Sequence, residues 1–331
     1  PREDWLAAKL AEAAIETEVL PSQDGWNTGY LAGILRKIRH FTPDLIHAHL
    51  FRSSVYGTLA GVLAGNLPVM CTLHGYWDVN PSDPLLYLKG RILTRAGNRM
   101  VYVSRPLRRH MENLLRIPEA AGMVIHNGVR FTEPRGGSRI RDELGLKDDD
   151  LLVGAVGNVR PPKDYPNLLR AAALVVDVDP RVSFVVVGDR DSGLSEGLIR
   201  LRRESGLDGR FHFLGFREDV PACLDAFDLF VSSSFTEGLP LASVEALGMG
   251  KPAVLTRCGG VPELVADGET GLLVPPRQPE ALAKGILALL RYPARAIELG
   301  ARARKDVRKR FSLDSMVQGY VDAYESLLQA G

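Results

Sequence analysis

The fold is decided by residues 229–256, which read LFVSSSFTEGLPLASVEALGMGKPAVLT. Leu229–Ser232 is a short apolar run that predicts a strand, and Ala253–Thr256 is a second run of the same kind. Between them lie a polar, glycine-bearing loop and a segment of helical period. A strand, a helix and a strand in this order are typical of a parallel β–α–β unit.

The same alternation of short apolar runs and helical segments extends through the 331 residues. Strands are predicted at Glu16–Leu20, Asp44–His47, Pro68–Leu73, Arg99–Val103, Met123–His126, Leu151–Val156, Val182–Val187, Phe211–Leu214, Leu229–Ser232, Ala253–Thr256 and Leu272–Val274. We therefore predict an α/β protein with two doubly wound sheets, joined by the Pro/Gly/Ser-rich segment 132–138. The predicted domains are 1–140 and 141–310, followed by a terminal segment 311–331 whose helix is capped by Ser312.

The beginning of the sequence departs from this plan. A doubly wound sheet normally begins with a strand and a glycine-bearing turn, whereas this chain opens with a helical pattern. We therefore expect that the first strand of the N-terminal domain is missing, and that the sequence is truncated at its start.

Composition narrows the class of protein. The chain has 41 Lys and Arg against 40 Asp and Glu, so a net charge of +1 argues against general nucleic-acid binding. We see neither a run of 18 apolar residues nor a signal-peptide pattern, and expect a cytoplasmic protein. The three cysteines, Cys71, Cys223 and Cys258, are far apart in apolar patterns, so we interpret them as buried thiols.

The first candidate site is the loop and helix start within the opening stretch. A loop at the end of a strand that exposes the first N–H groups of a helix is suited to a phosphate. Glu237 lies in the loop and Glu245 on the helix, about 10 Å further along, so one carboxylate could bind a sugar and the other a ribose. The alternative is a glutamate favoured by the helix dipole and a second one that is merely solvated.

A second candidate site is the loop 157–166, which also follows an apolar strand and precedes a helix. Arg160 and Lys163 could neutralise a diphosphate there, the first as a planar fork and the second as a point charge. Ordinary loop cations are the alternative.

Histidines mark the strand ends of the first half. His47 and His49 flank the end of one predicted strand, and His74 with Gly75 ends the next. We interpret His47 as a hydrogen-bonded structural residue. His74 is the better functional candidate, because the glycine after it lets a ligand approach the backbone.

Other signals are weaker. Asp189-Arg190-Asp191 is formally a magnesium-binding pattern, but no partner ligands lie nearby in the sequence. The phosphate loops of nicotinamide dehydrogenases and P-loop enzymes are absent from the sequence. Residues 85–116 carry eight basic side chains against one acid, which could be a solvated face or could dock on an anionic membrane surface or an anionic acceptor.

Taken together, these motifs resemble the retaining GT-B glycosyltransferases of family four, also called group 1. Ser234–Pro240 through Glu245 resembles the E-x7-E signature of that family, and residues 157–163 resemble its G-R-x-x-x-x-K loop, with Asn158 where Arg is more usual. The match continues in residues 250–254, 259–264 and 267–274, in the T-x-H-G pattern that ends at Gly75, and in the Asn-Gly-Val turn 127–129.

The resemblance implies two Rossmann-like domains facing across a cleft, with the terminal helix packed back toward the first domain. It implies transfer of a sugar from a UDP-, GDP- or ADP-sugar to a hydroxyl of a glycan or lipid-linked acceptor, with retention and with no metal or other cofactor. The product would belong to polysaccharide, lipopolysaccharide or glycolipid synthesis. The residues carried over are His74, Glu237 and Lys163 as catalytic groups, and Arg160, Gly157, Gly238, Leu239, Pro240, Leu241 and Glu245 as donor-binding groups.

Two other classes stay open. A nucleotide-sugar epimerase or a phosphorylase has the same architecture, but a phosphorylase would need a pyridoxal lysine that we do not identify. A non-catalytic nucleotide-sugar-binding remnant would bind a donor without turnover. The basic stretch 85–116 favours an acceptor, and a peripheral location, at the inner face of a membrane.

Overall fold

The computed structural model describes residues 3–21, 26–94, 98–133, 139–189 and 193–329. Its α-helices are α1 (Glu3–Glu12), α2 (Thr28–Phe41), α3 (Phe51–Leu63), α4 (Leu86–Leu93), α5 (Arg105–Leu115), α6 (Ile140–Glu143), α7 (Tyr165–Val178), α8 (Ser195–Glu204), α9 (Val220–Ala226), α10 (Leu241–Gly248), α11 (Pro279–Arg291), α12 (Pro293–Arg310) and α13 (Leu313–Gln329). Its strands are β1 (Ile46–His49), β2 (Val69–Leu73), β3 (Asn98–Tyr102), β4 (Gly122–Val124), β5 (Leu151–Val156), β6 (Val182–Val187), β7 (Phe211–Gly215), β8 (Leu229–Ser232), β9 (Ala253–Thr256) and β10 (Leu272–Val274).

The first sheet contains β1 to β4, all parallel and in chain order. Helices α3 and α5 cross between its strands, as the alternating sequence pattern predicts. The reversal of strand order expected for a doubly wound sheet is not seen among the described strands of this half.

One predicted strand is wrong. Residues 16–20 have no regular secondary structure, and they pair with no strand in the described part of the chain. Val19 is 82% exposed, whereas a strand covered by helices buries its apolar residues on both faces. Leu20 lies beside Gly33 of α2, where an added Cβ would be 3.3 Å from the Leu20 side chain, so this end of the run packs on a helix.

The second sheet contains six parallel strands in the order β10-β9-β8-β5-β6-β7. The strand order reverses where β5 lies beside β8, with Val153 opposite Leu229. The predicted strands of this half agree with the observed ones to within one residue at each end. In open parallel sheets the crevice beyond such a switch point is the usual ligand site, so the loops after β5 and β8 lie where a ligand is expected.

The chain returns from the second half to the first at residues 311–313. The N–H of Val129 donates to the carbonyl of Phe311 (3.0 Å), and the N–H of Leu313 donates to the carbonyl of Val129 (3.0 Å). Ser312 caps α13, because its Oγ accepts the N–H of Ser315 at 3.1 Å. Helix α13 then packs on the first sheet through the apolar cluster Met70, Val101, Ile125, Ala323 and Leu327.

The structure bears on the three cysteines and on the search for a membrane-spanning helix. Cys71, Cys223 and Cys258 are buried free thiols, which confirms their interpretation. Within the residues described, we find no helix that is long and apolar enough to cross a membrane.

Candidate functional site

The loops after β5 and β8 are bonded to each other at the switch point. Ser233 Oγ donates to the carbonyl of Lys163 (2.7 Å), and the N–H of Phe235 donates to the carbonyl of Pro162 (2.9 Å). The two loops that the sequence singles out as separate candidates therefore form one surface.

An ion pair lies on this surface. Lys163 Nζ is 2.8 Å from Glu237 Oε1, and Ser234 Oγ donates to the same oxygen at 2.6 Å. Both charged side chains are mostly covered, with 24% of Lys163 and 14% of Glu237 exposed. Gly157 makes room for the lysine, because a Cβ at this position would lie 2.8 Å from Lys163 Cε. The pair is thus fixed by backbone and hydroxyl contacts and still faces solvent in part.

The first domain touches this loop at His74. A Cβ at Gly238 would lie only 1.9 Å from the backbone oxygen of His74, so the two chains can approach this closely only because residue 238 is glycine. The N–H groups of His74 and Gly75 donate to the Asp78 carboxylate at 2.7 and 3.0 Å, which fixes the turn after β2. His74, Glu237 and Lys163, predicted from separate motifs, are therefore neighbours.

A row of histidines extends from His74 into the first sheet. His49 Nδ1 lies 2.9 Å from His74 Nε2, and the two rings are nearly coplanar, with 24° between their planes. His47 is bonded at both ring nitrogens, to the Tyr324 hydroxyl (2.6 Å) and to Thr72 Oγ1 (2.8 Å), which agrees with its interpretation as a structural residue. The contact of His49 with His74 was not predicted from the sequence. The spacing of two between His47 and His49, which places both side chains on one face of a strand, was the available signal.

Burial controls the protonation of this row. It lowers the pKa of His47 to about 4, and it lowers the pKa values of His49 and His74 from their ordinary value. Because an ordinary histidine pKa is near 6.5, all three rings are neutral at neutral pH.

The remaining predicted donor residues lie in the same two loops and in α10, and the N–H of Lys163 donates to the carbonyl of Arg160 at 3.0 Å. Leu239 and Pro240 are buried and lead into α10, whose first residue, Leu241, is 44% exposed. Glu245 lies one helical turn further and lines a small cavity of about 40 Å³, and burial raises the pKa of its carboxyl group. Arg160 is exposed at the start of the turn that ends at Lys163.

The acidic, histidine and cysteine side chains do not form a metal-binding cluster of three or more among the residues that the structure describes. The backbone of Asp189 is bonded to Val159 and to the Asn158 side chain, at 2.8 and 3.0 Å. Arg190 and Asp191 lie outside the described residues, so the D-x-D pattern stays a hypothesis.

A larger cleft of about 520 Å³ opens in the first domain. Asp78, which binds the turn at His74, forms part of its wall. Its walls combine aromatic and charged side chains, including Trp26, Tyr56, Arg52 and Lys89. Such a mixture of side chains is typical of sites that bind small polar ligands by stacking and hydrogen bonds.

Comparison with known proteins gives the class. Residues 7–133 match the family model described as Glycosyltransferase Family 4, and residues 150–292 match the one described as Glycosyl transferases group 1. HepE of Anabaena, solved in complex with UDP-glucose, superposes with a TM-score of 0.87 at 25% identity, over 97% of this chain and 89% of that one. Sucrose-phosphate synthase from Thermosynechococcus elongatus shares the fold, with a TM-score of 0.80 at 23% identity, over 92% of this chain and 78% of that one. The protein therefore has two parallel-sheet α/β domains of the GT-B type.

Relatives in sequence narrow the family assignment of the chain. The D-inositol 3-phosphate glycosyltransferase of Mycolicibacterium paratuberculosis is 29% identical over 319 residues, which is 91% of this chain and 71% of the relative. The protein of the same name from Mycobacterium tuberculosis H37Ra is 32% identical over 284 residues, 80% of this chain and 58% of that relative. The chain belongs to the family-four, group 1 glycosyltransferases, and it is a glycosyltransferase enzyme.

Proposed function

We propose that this protein transfers a sugar from a UDP-sugar to a hydroxyl of a small polar or glycan acceptor, with retention of the anomeric configuration. The observation that carries the proposal is the contact between Gly238 and the His74 backbone, which brings the Lys163–Glu237 pair of one domain against the other. HepE, whose structure includes UDP-glucose, supports the choice of uridine.

The donor is proposed to lie along the switch point. Its diphosphate binds Lys163, with Arg160 at the solvent edge and the backbone N–H groups of Gly238, Leu239 and Leu241, which lead into α10, beneath it. Glu245 binds the ribose hydroxyls, since a half-buried carboxylate gains hydrogen bonds when a diol covers it. The diphosphate competes with Glu237 for Lys163 and frees the carboxylate for the hydroxyls of the sugar.

Bond cleavage places new negative charge on the leaving diphosphate. Lys163 and the α10 N–H groups are already fixed in place, so they stabilise that charge without reorganisation. The acceptor hydroxyl attacks the same face that the diphosphate leaves, and the departing phosphate oxygen takes its proton. This route accounts for retention without the second carboxylate that a covalent glycosyl intermediate needs. It assigns no step to a metal or other cofactor.

The acceptor is proposed to enter the cleft beside Asp78. Trp26 and Tyr56 offer aromatic faces to a ring, and Arg52 favours an acceptor that carries a negative group, whereas Lys89 is paired with Asp83 at 2.5 Å. The relatives named D-inositol 3-phosphate glycosyltransferases suggest that phosphorylated polyol as the first acceptor to try. Arg52→Ala is expected to raise the KM for the acceptor and leave UDP affinity unchanged.

A role in glycolipid or polysaccharide synthesis would bring the protein to the inner face of a membrane. Leu85, Tyr87 and Leu88 are exposed on and before α4, and the Arg116 guanidinium stacks on Tyr87 at 4.2 Å. We expect weak, salt-sensitive binding to phosphatidylglycerol vesicles, lost in Leu88→Ser. Equal sedimentation with phosphatidylcholine vesicles would contradict it.

We also propose the division into domains 1–140 and 141–310, with 311–331 returning to the first. Closure around the donor would then bend the chain near residues 130–150 and near 311. The paired hydrogen bonds between Val129 and residues 311 and 313 lie at this crossing and would act as its pivot.

The transfer reaction itself is tested with a panel of UDP-glucose, UDP-N-acetylglucosamine, GDP-mannose and ADP-glucose, each with inositol 3-phosphate or a simple glycan. Release of UDP and an NMR coupling typical of the α-anomer are expected, with or without EDTA. A β-linked product would contradict retention, and loss of all turnover in EDTA would contradict metal-free transfer. Binding of UDP without turnover by any acceptor would favour the non-catalytic alternative.

A further inference from the structure

We propose that His49 is a positioning residue, which fixes the ring of His74 and decides which of its nitrogens carries the proton. This inference rests on the proposed function and adds that His74, whose backbone lies against Gly238, faces the transferred sugar. The residue reaches the site through the contact between His49 Nδ1 and His74 Nε2 at 2.9 Å.

The contact fixes both rings at once. A hydrogen bond between two neutral imidazoles needs one N–H donor and one lone-pair acceptor, so the tautomer of one ring determines that of the other. If His49 Nδ1 donates, His74 carries its proton on Nδ1 and offers that nitrogen as a donor. If His49 accepts, His74 Nδ1 is an acceptor. The two rings are nearly coplanar, with 24° between their planes and centroids 5.2 Å apart, so the nitrogens meet edge to edge as a hydrogen bond requires, and this bond opposes rotation of the His74 ring.

His49 itself rests on a fixed support. The rings of His47 and His49 are 4.2 Å apart between centroids, and both nitrogens of His47 are bonded. One of those bonds comes from Tyr324 on α13, so contacts run without a gap from the C-terminal helix to His74. The terminal helix thereby contributes to the order of a side chain at the cleft.

The position of His49 at the surface argues against a purely structural role. At the end of β1 His49 is more exposed than His47, although the rings of His47 and His74 partly cover it, so it adds little buried apolar surface to the core. Truncation of His49 is therefore expected to change function more than stability.

The test compares three substitutions of His49 in the full chain. Asn places an amide at the position of Nδ1, whereas Gln reaches the position of Nε2, so only Asn preserves the contact with His74. We expect His49→Ala and His49→Gln to lower kcat roughly 10-fold to 100-fold, with the donor KM changed less than about twofold, and His49→Asn to restore most of the loss. His40→Ala, an exposed histidine on α2, is the matched control.

A second readout does not depend on turnover. The ¹⁵N shifts of the His74 ring should report one tautomer in the wild type and in His49→Asn, and a mixture in His49→Ala and His49→Gln. If the wild-type protein transfers sugar, the proposed function stands. In that case equal kcat in all three variants, or equal effects of Asn and Gln, would overturn the inference about His49. If the wild type transfers no sugar, the proposed function fails, and the ring shifts alone decide whether His49 sets the tautomer of His74.

Discussion

The contact of Gly238 with His74 makes Gly238→Ala a sharp test of how the two domains meet. The added Cβ would lie 1.9 Å from the His74 oxygen, about 1.5 Å closer than the 3.4 Å at which ordinary contact begins. The opposing atom is backbone, so it cannot turn aside as a flexible side chain does. Either the loop or the turn at His74 has to move, and overpacking of this kind costs about 1–3 kcal/mol.

A displacement of about 1 Å at a reacting centre costs on the order of 100-fold in rate, so Gly238→Ala is expected to lower kcat/KM by that factor. The matched control is Gly197→Ala on α8, where the new methyl meets nothing within 4 Å. It should stabilise the protein by about 0.5–1 kcal/mol and leave activity unchanged. Thermal unfolding and steady-state kinetics of both variants decide the matter. Full activity and unchanged stability of Gly238→Ala would refute the close contact.

Three further predictions concern stability and reactivity. Because burial lowers the pKa of His47 to about 4, the unfolded chain takes up the proton first as the pH falls below about 6.5. Stability measured by urea unfolding should therefore fall between about pH 6.5 and pH 4, and less steeply in His47→Asn; equal slopes would contradict this. Ser312→Ala should cost about 1 kcal/mol through loss of the α13 cap, whereas Ser315→Ala, which keeps the acceptor oxygen, should cost less. Burial raises the pKa of Cys71 to about 11, so mass spectrometry should find it unmodified by iodoacetamide until the protein unfolds.

The sequence predicts the second domain better than the first, for a physical reason. Strands buried on both faces, such as β6, are nearly continuous apolar runs. They can therefore be predicted without knowing which strands lie beside them. Residues 16–20 have the composition of a strand, but strand formation depends on a partner edge, and a local pattern contains no information about one.

For the site, the residues could be predicted from the sequence, but the contacts between them could not. Lys163, Glu237 and His74 follow from motifs at strand ends, because parallel strands bring those ends to one edge of a sheet. The Lys163–Glu237 pair, the approach of Gly238 to His74 and the contact of Tyr324 with His47 join residues far apart in the chain. Such contacts depend on how the two domains and the last helix pack, which spacing along the sequence does not specify.

The central claim is that the Lys163–Glu237 surface binds the donor diphosphate, and calorimetric titration with UDP tests it most directly. We predict micromolar binding that EDTA does not change, weakened about 10-fold to 100-fold in Lys163→Ala by the loss of a charged contact. Arg160→Ala, which removes an exposed cation from the same loop, should weaken binding less. Wild-type affinity for UDP in a folded Lys163→Ala protein would contradict the account.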